Sequence, residues 1–278
     1  LMGYTGACRP GILAPKPAPV QVNFLGYAGT LGAPHMDYLI ADAVTVPERD
    51  ALFYSESIVR LPGTFLPADD KRPRPELLRR ADFGIPSDAC VLAAFHNSYK
   101  LTPEMLGLWL RLLKCTPGAL LWLADCNDAA KANVLRVANS AGVGSERILF
   151  APYVAEESVH LGRLALADLF LDTLPYNAHA TASDVLWAGV PLLTCMGSSF
   201  AGRVAASALT ALSIPELIAA NLEDYEAMAL ALMQNRDMLA ALRNRIAQQR
   251  EKSAVFDTAR YTRGLEAAFL TMLASSAP

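Results

Sequence analysis

Leu171-Asp172-Thr173-Leu174-Pro175-Tyr176-Asn177-Ala178-His179-Ala180-Thr181-Ala182-Ser183-Asp184-Val185-Leu186-Trp187-Ala188-Gly189-Val190-Pro191-Leu192-Leu193-Thr194 is the stretch from which the fold can be read. It follows directly on Leu169–Leu171, a short apolar run with the pattern of a strand buried on both faces. Small and polar residues then form a loop that ends near His179 and Thr181. From Ala182 to Ala188 the spacing is helical, Gly189-Val190-Pro191 stops the helix, and Val190–Thr194 begins another strand. Strand, loop, helix and strand in that order make a βαβ unit with a parallel sheet. A helix N-terminus beyond the carboxyl end of such a sheet has free amides and a positive dipole end, which favour a phosphate at Ala180–Ala182.

The same alternation runs outward from this unit. Val91–Phe95, Ala119–Leu123 and Arg147–Phe150 read as strands. Between and beyond them Pro103–Cys115, Ala129–Ala141, Glu156–Leu164, Arg203–Leu212 and Leu222–Met233 read as helices, the first with Thr102 as its N-cap and Pro103 in its first turn. The tail is helical over Asp237–Ser253 and Thr258–Leu273; in the last of these Tyr261, Leu265, Phe269 and Met272 form one apolar stripe. Before residue 60 only Val20–Leu25 and Tyr38–Ala43 look like strands, and Gly26–Gly32 is a glycine-rich loop, read by itself as an ordinary connection. Lys71-Arg72-Pro73-Arg74-Pro75 reads as a solvated linker inside a boundary over residues 62–86. The expectation is an α/β chain: a doubly wound parallel sheet preceded by part of another domain.

Composition excludes several classes of function. A hydrophobic fraction of 53% with 18% charged residues is that of a folded protein, and a net charge of −3 provides no general attraction to nucleic acid or to an anionic membrane. No apolar run is long enough to cross a bilayer. Five scattered cysteines without a CxxC pair argue against a disulfide framework and fit a reducing, cytoplasmic setting. The four histidines lie far apart with no metal-ligand spacing, and no GxSxG elbow, Walker A loop or GxGxxG opens a helix. The chain opens on Leu1 inside what reads as an already folded segment, so a longer protein is expected.

Polar residues collect where strands end. Phe95-His96-Asn97-Ser98-Tyr99-Lys100 follows one strand; Lys100 can neutralise a diphosphate as a point charge, Tyr99 can orient or exchange a proton, and His96 and Asn97 can hydrogen-bond. A solvated loop lysine beside a packed tyrosine explains the same residues equally well. His160 and Arg163 share one helix face and suit a nucleobase, although an ordinary surface helix is the favoured reading from spacing alone. Asp184 either complements the helix dipole or accepts a sugar hydroxyl.

Together these stretches resemble the O-GlcNAc transferase family, most closely its bacterial members. The resemblance rests on Asp172–Asn177 and His179–Pro191, on Asn23–Thr30 (NFLGYAGT), on Met36-Asp37-Tyr38, on Tyr99-Lys100 and on Arg203–Ser207 (RVAAS), all in the family's order. It implies a GT-B fold of two Rossmann-like domains. Residues 1–62 would be the end of the first, 63–87 a linker, 88–254 the second, UDP-donor-binding domain, and 255–278 a C-terminal helix packed back on both. It implies an inverting, metal-independent transfer of N-acetylglucosamine from UDP-GlcNAc to Ser or Thr of proteins, with no cofactor and UDP as product. Asn97 and Lys100 would meet the diphosphate together with His179, Ala180 and Thr181. Asp184 would take the ribose, while His160, Arg163 and the backbone of Val154 and Ala155 would face the uracil. Gly26, Tyr27, Gly29 and Thr30 would line the acceptor and sugar side, with Lys100, and Tyr99 beside it, as the catalytic residues. The sequence departs from the family at Asn97 (more often Gln), Ala180 (usually Thr) and Glu156 (commonly Lys). The family's proposed base histidine and its tetratricopeptide repeats belong to a portion upstream of these residues. Two other readings stay open: a SPINDLY-like protein O-fucosyltransferase using GDP-fucose, and a UDP-binding scaffold without catalysis.

Overall fold

The computed structural model describes residues 3–275. Two parallel sheets organise the chain. The first has three strands, β1 (Val22–Asn23), β2 (Tyr38–Ala41) and β3 (Ser57–Arg60), in the order β1-β2-β3. The second has six: β4 (Cys90–Ala94), β5 (Ala119–Ala124), β6 (Ile148–Ala151), β7 (Leu169–Leu171), β8 (Leu192–Cys195) and β9 (Ile218–Ala219), in the order β6-β5-β4-β7-β8-β9. Every recorded pairing is parallel. The strand order runs one way from β4 to β6 and the other way from β7 to β9. The switch point therefore lies between β4 and β7, and a ligand crevice is expected outside their carboxyl ends.

The helices are α1 (Pro103–Cys115), α2 (Asp128–Ser140), α3 (Glu157–Ala165), α4 (Ala180–Trp187), α5 (Val204–Ala211), α6 (Leu222–Met233), α7 (Arg236–Arg250) and α8 (Thr258–Ser275). Their starts have local causes. Thr102 accepts the Met105 amide at 3.2 Å, and Asn127, Asn221 and Asn235 accept amides of α2, α6 and α7 in the same way. Leu92, Leu121, Phe170 and Leu192 are fully buried in the sheet, and Trp109, Leu112 and Leu113 of α1 pack over it in one continuous core.

Three features differ from the sequence reading. β3 was not foreseen, because Ser57 and Arg60 break its apolar pattern and, at a sheet edge, remain partly exposed. β9, two residues long, carries no pattern of its own. Within Lys71–Pro75 the solvated reading fails at Arg72, whose side chain is only 12% exposed and pairs with acids of α3 and α4.

The two sheets are joined by the segment between β8 and β9, which carries α5, and by the final helix α8. Ser207 of α5 donates to Asp42 Oδ2 at 2.6 Å, at the carboxyl end of β2, and Asp42 also accepts the Phe65 amide at 2.9 Å. Phe200 meets Phe65 edge to face. From α8, Tyr261, Leu265, Ala268 and Met272 pack on Ile40 and Leu61, whereas Phe269 of the same stripe is left partly exposed. The loops after β1 and after β8 consequently face each other across a cleft.

Candidate active site

The loop after β4 turns through one 3-10 turn, Ser98–Lys100, with the Lys100 amide bonded to the Asn97 carbonyl at 2.9 Å. The turn sends Lys100 toward the loop after β7. Its Nζ donates to the Asn177 carbonyl at 2.8 Å and stands 4.2 Å from the centre of the Tyr176 ring. Burial pushes the ammonium down to about 8, and Asp172 opposes that shift. Asn97 and Tyr99 of the same turn are exposed, Tyr99 by 74%, while Lys100 is partly buried.

Asp172 braces the loop after β7 from below. It is fully buried and accepts the Ala178 amide at 2.6 Å, the Thr173 amide at 2.8 Å and the Thr194 hydroxyl at 2.6 Å. Burial raises its carboxyl to about 6 in spite of these donors. The loop delivers His179 to the start of α4, stacked on Tyr176 at 4.7 Å between ring centres. Burial lowers the His179 imidazole to about 4, so it is neutral near pH 7. Among the described residues the amides of Ala180 and Thr181 have no hydrogen-bond partner, and no side chain caps this helix. A cation and two unpaired amides thus converge on one side of the switch point, an arrangement suited to a diphosphate.

A second group lies along α3 and α4. Arg163 is buried, with its guanidinium 5.1 Å from the Phe95 ring centre; it donates to the Pro152 carbonyl and, at 2.9 Å, to His160 Nδ1. Because a guanidinium can only donate, His160 must carry its proton on Nε2, which faces Asp184 Oδ2 at 3.8 Å. Asp184 Oδ1 accepts from Arg72 at 2.5 Å. Burial alone would raise the Asp184 carboxyl, but His160 and Arg72 outweigh it and hold the group below its ordinary value. The favoured sequence reading of His160 and Arg163 as an ordinary surface helix with a solvated arginine fails here, since both guanidinium and imidazole are engaged. Val154 and Ala155 lie in the loop that leads into α3.

The glycine loop after β1 stands across the cleft. Glu56, buried, accepts from Thr30 Oγ1 at 2.5 Å and the Leu31 amide at 2.7 Å, which fixes the loop's far end. Tyr27, Gly29 and Thr30 line a space of about 500 Å³ together with Asp50, Ser199 and Arg203, while Gly26 makes the turn at φ 87°. Burial raises the Tyr176 hydroxyl above its ordinary value. Sequence reasoning missed Arg72 and gave Asp172 and Tyr176 no role. A carboxylate directly after a strand was a signal for Asp172; Arg72 had none.

A family model described as glycosyl transferase family 41 matches residues 1–81 and 68–265. An Arabidopsis thaliana protein named "Probable UDP-N-acetylglucosamine--peptide N-acetylglucosaminyltransferase SEC" is 37% identical over 279 residues, covering 98% of this chain and 28% of that protein. A Solanum lycopersicum protein named as a probable transferase of the same kind, SPINDLY, is 32% identical over 276 residues, with 98% and 29% covered. The chain thus spans less than a third of the length of these two relatives. Among solved structures, a mutant O-GlcNAc transferase of Thermobaculum terrenum superposes with a TM-score of 0.86 at 30% identity, over 94% of this chain and 49% of that one. WaaG, a glycosyltransferase of lipopolysaccharide biosynthesis, shares the fold at 14% identity and a TM-score of 0.59 over 94% of this chain and 80% of that one. The architecture is GT-B: α/β, with Rossmann-like parallel sheets facing a cleft.

Proposed function

Since this chain belongs to glycosyl transferase family 41, we propose that it supplies the donor-binding part of an enzyme that moves N-acetylglucosamine from UDP-GlcNAc to Ser or Thr hydroxyls of proteins. The observation that carries this reading is the convergence of Lys100 with the unpaired amides of Ala180 and Thr181 at the switch point. The acceptor oxygen attacks the anomeric carbon from the face opposite UDP, so the configuration inverts. A carbon–oxygen bond forms, the bond to the β-phosphate breaks, and the electron pair stays on the phosphate oxygen. Lys100 and the two amides stabilise that growing charge, the electrostatic work a metal ion does elsewhere. The hydroxyl proton goes to a base outside the groups described above.

Asp184 Oδ2 takes a ribose hydroxyl, and the His160 face meets the base. Asn97 and Tyr99 are both exposed, so Asn97 meets the diphosphate, and Tyr99 takes part in orienting or exchanging a proton, when the donor draws them in. The space beside Tyr27, Gly29 and Thr30 receives the sugar and the acceptor. Donor choice is tested on the full-length protein, with UDP-GlcNAc and GDP-fucose offered separately to the same protein acceptors and transfer read by mass spectrometry. Addition of N-acetylhexosamine alone is expected. Transfer of fucose, or binding of UDP without any transfer, would replace this reading by one of its rivals.

A further inference from the structure

The segment between the two sheets lies across α3 and α4 as a strap. Arg72 leads it: Nη2 donates to Asp184 Oδ1 at 2.5 Å, and Nε donates to Glu157 Oε1 at 2.7 Å. Behind it, the Pro73 carbonyl accepts from Trp187 Nε1 of α4 at 2.8 Å, and the Glu76 amide donates to the Ser158 carbonyl of α3 at 3.0 Å. The strap thus ties the helix of His160 to the helix of Asp184. A guanidinium with only 12% of its side chain exposed is tolerated because its fork meets one acid on each helix.

The two oxygens of Asp184 are left unequal. Oδ1 is taken by Arg72, while among the described residues no donor stands within hydrogen-bond distance of Oδ2, His160 Nε2 lying 3.8 Å away. We propose that Arg72 is a positioning residue for recognition of the nucleoside's sugar: it pins Oδ1 so that Oδ2 is presented to a vicinal diol. This rests on Asp184 being the ribose ligand. Without Arg72 the carboxylate is free to rotate toward His160, and it faces Glu157 with no cation between them.

The test is calorimetry on the full-length protein with UDP and with 2′,3′-dideoxy-UDP, which lacks the diol. Wild type should prefer UDP, and Asp184→Ala, which leaves no side-chain acceptor, should erase the preference. Arg72→Met should shrink the preference about tenfold, the worth of one charge-assisted hydrogen bond, with affinity for the dideoxy compound within twofold of wild type. Arg72→Lys, a point charge that cannot fork, should fall between the two and serves alone if the methionine variant does not fold. An undiminished preference in Arg72→Met, or in Arg72→Lys where only that variant folds, overturns the proposal. So does equal weakening of both ligands, which would mark Arg72 as structural only. A preference that survives Asp184→Ala removes the ribose assignment itself, and the proposal falls with it.

Discussion

The Lys100 ammonium is held between the face of the Tyr176 ring, 4.2 Å away, and the Asn177 carbonyl, 2.8 Å away, and among the described residues no carboxylate is bonded to it. A cation kept in place by an aromatic face and one carbonyl is under-neutralised, and burial lowers it to about 8. It is therefore mostly charged at pH 7 and loses its proton as the pH rises through about 8.

UDP affinity should accordingly fall about tenfold per pH unit above pH 8, and binding near that pH should take up protons. Calorimetry from pH 7 to 10 in buffers of different ionisation enthalpy measures both effects. Lys100→Met should lose roughly two to three orders of magnitude in turnover, as when an oxyanion donor is removed, and show no alkaline limb in binding. Its Tm should match or exceed wild type, because the folded state no longer holds a partly desolvated charge. A wild-type affinity flat up to pH 10 would show that the ammonium does not meet the diphosphate.

Acid should unfold the protein through its histidines. Burial holds His96 and His179 at about 4, against an ordinary value of 6.5. Between those values the unfolded chain binds more protons, so stability present above pH 6.5 is lost on acidification toward pH 4. Asp172, raised to about 6 from 3.8, acts in the opposite direction between those two values. Two imidazoles titrating over the wider window outweigh one carboxyl. Tm should fall from pH 7 to pH 5, and the double variant His96→Asn/His179→Gln should flatten or reverse that slope in thermal scans.

Ser207 connects the two sheets through a single hydroxyl. Ser207→Ala removes the donor 2.6 Å from Asp42 Oδ2 and leaves that buried oxygen with the Phe65 amide alone. The expected loss is about 1–3 kcal/mol in urea unfolding, with UDP affinity unchanged because Asp42 and Ser207 are bonded to one another, Phe65 and Thr64 rather than to Lys100 or Asp184.

Gly162 reports on the strap. A Cβ at this position would stand 2.5 Å from the Glu76 carbonyl oxygen, which is backbone and cannot swing aside. Gly162→Ala should cost about 1–3 kcal/mol by overpacking. Proteolysis of the Pro67–Pro75 stretch should quicken in the variant if the strap lifts; unchanged cleavage and stability would mean that it lies loosely on α3.

Local signals carried most of the second sheet. The continuous apolar runs around Leu92, Leu121 and Phe170 belong to strands covered on both faces, and Thr102-Pro103 states where α1 begins. Such signals act within a few residues, so one sequence displays them in full. β3 escaped for the converse reason: an edge strand is stabilised by its partner β2, and its own residues face solvent.

The site divides along the same line. His179, Ala180, Thr181 and Asp184 are neighbours in sequence, and a loop leading into a helix after a buried strand is what pointed to the proposed anion site. What the sequence by itself determined is this βαβ frame, because periodicity and capping are properties of neighbouring residues. Only the tertiary structure decided which groups meet there. Lys100 reaches a loop 77 residues away, and Arg72 reaches acids 85 and 112 residues away. Pairings of that span are set by strand order and helix packing, and a proline-flanked arginine seen alone has the composition of a solvated linker.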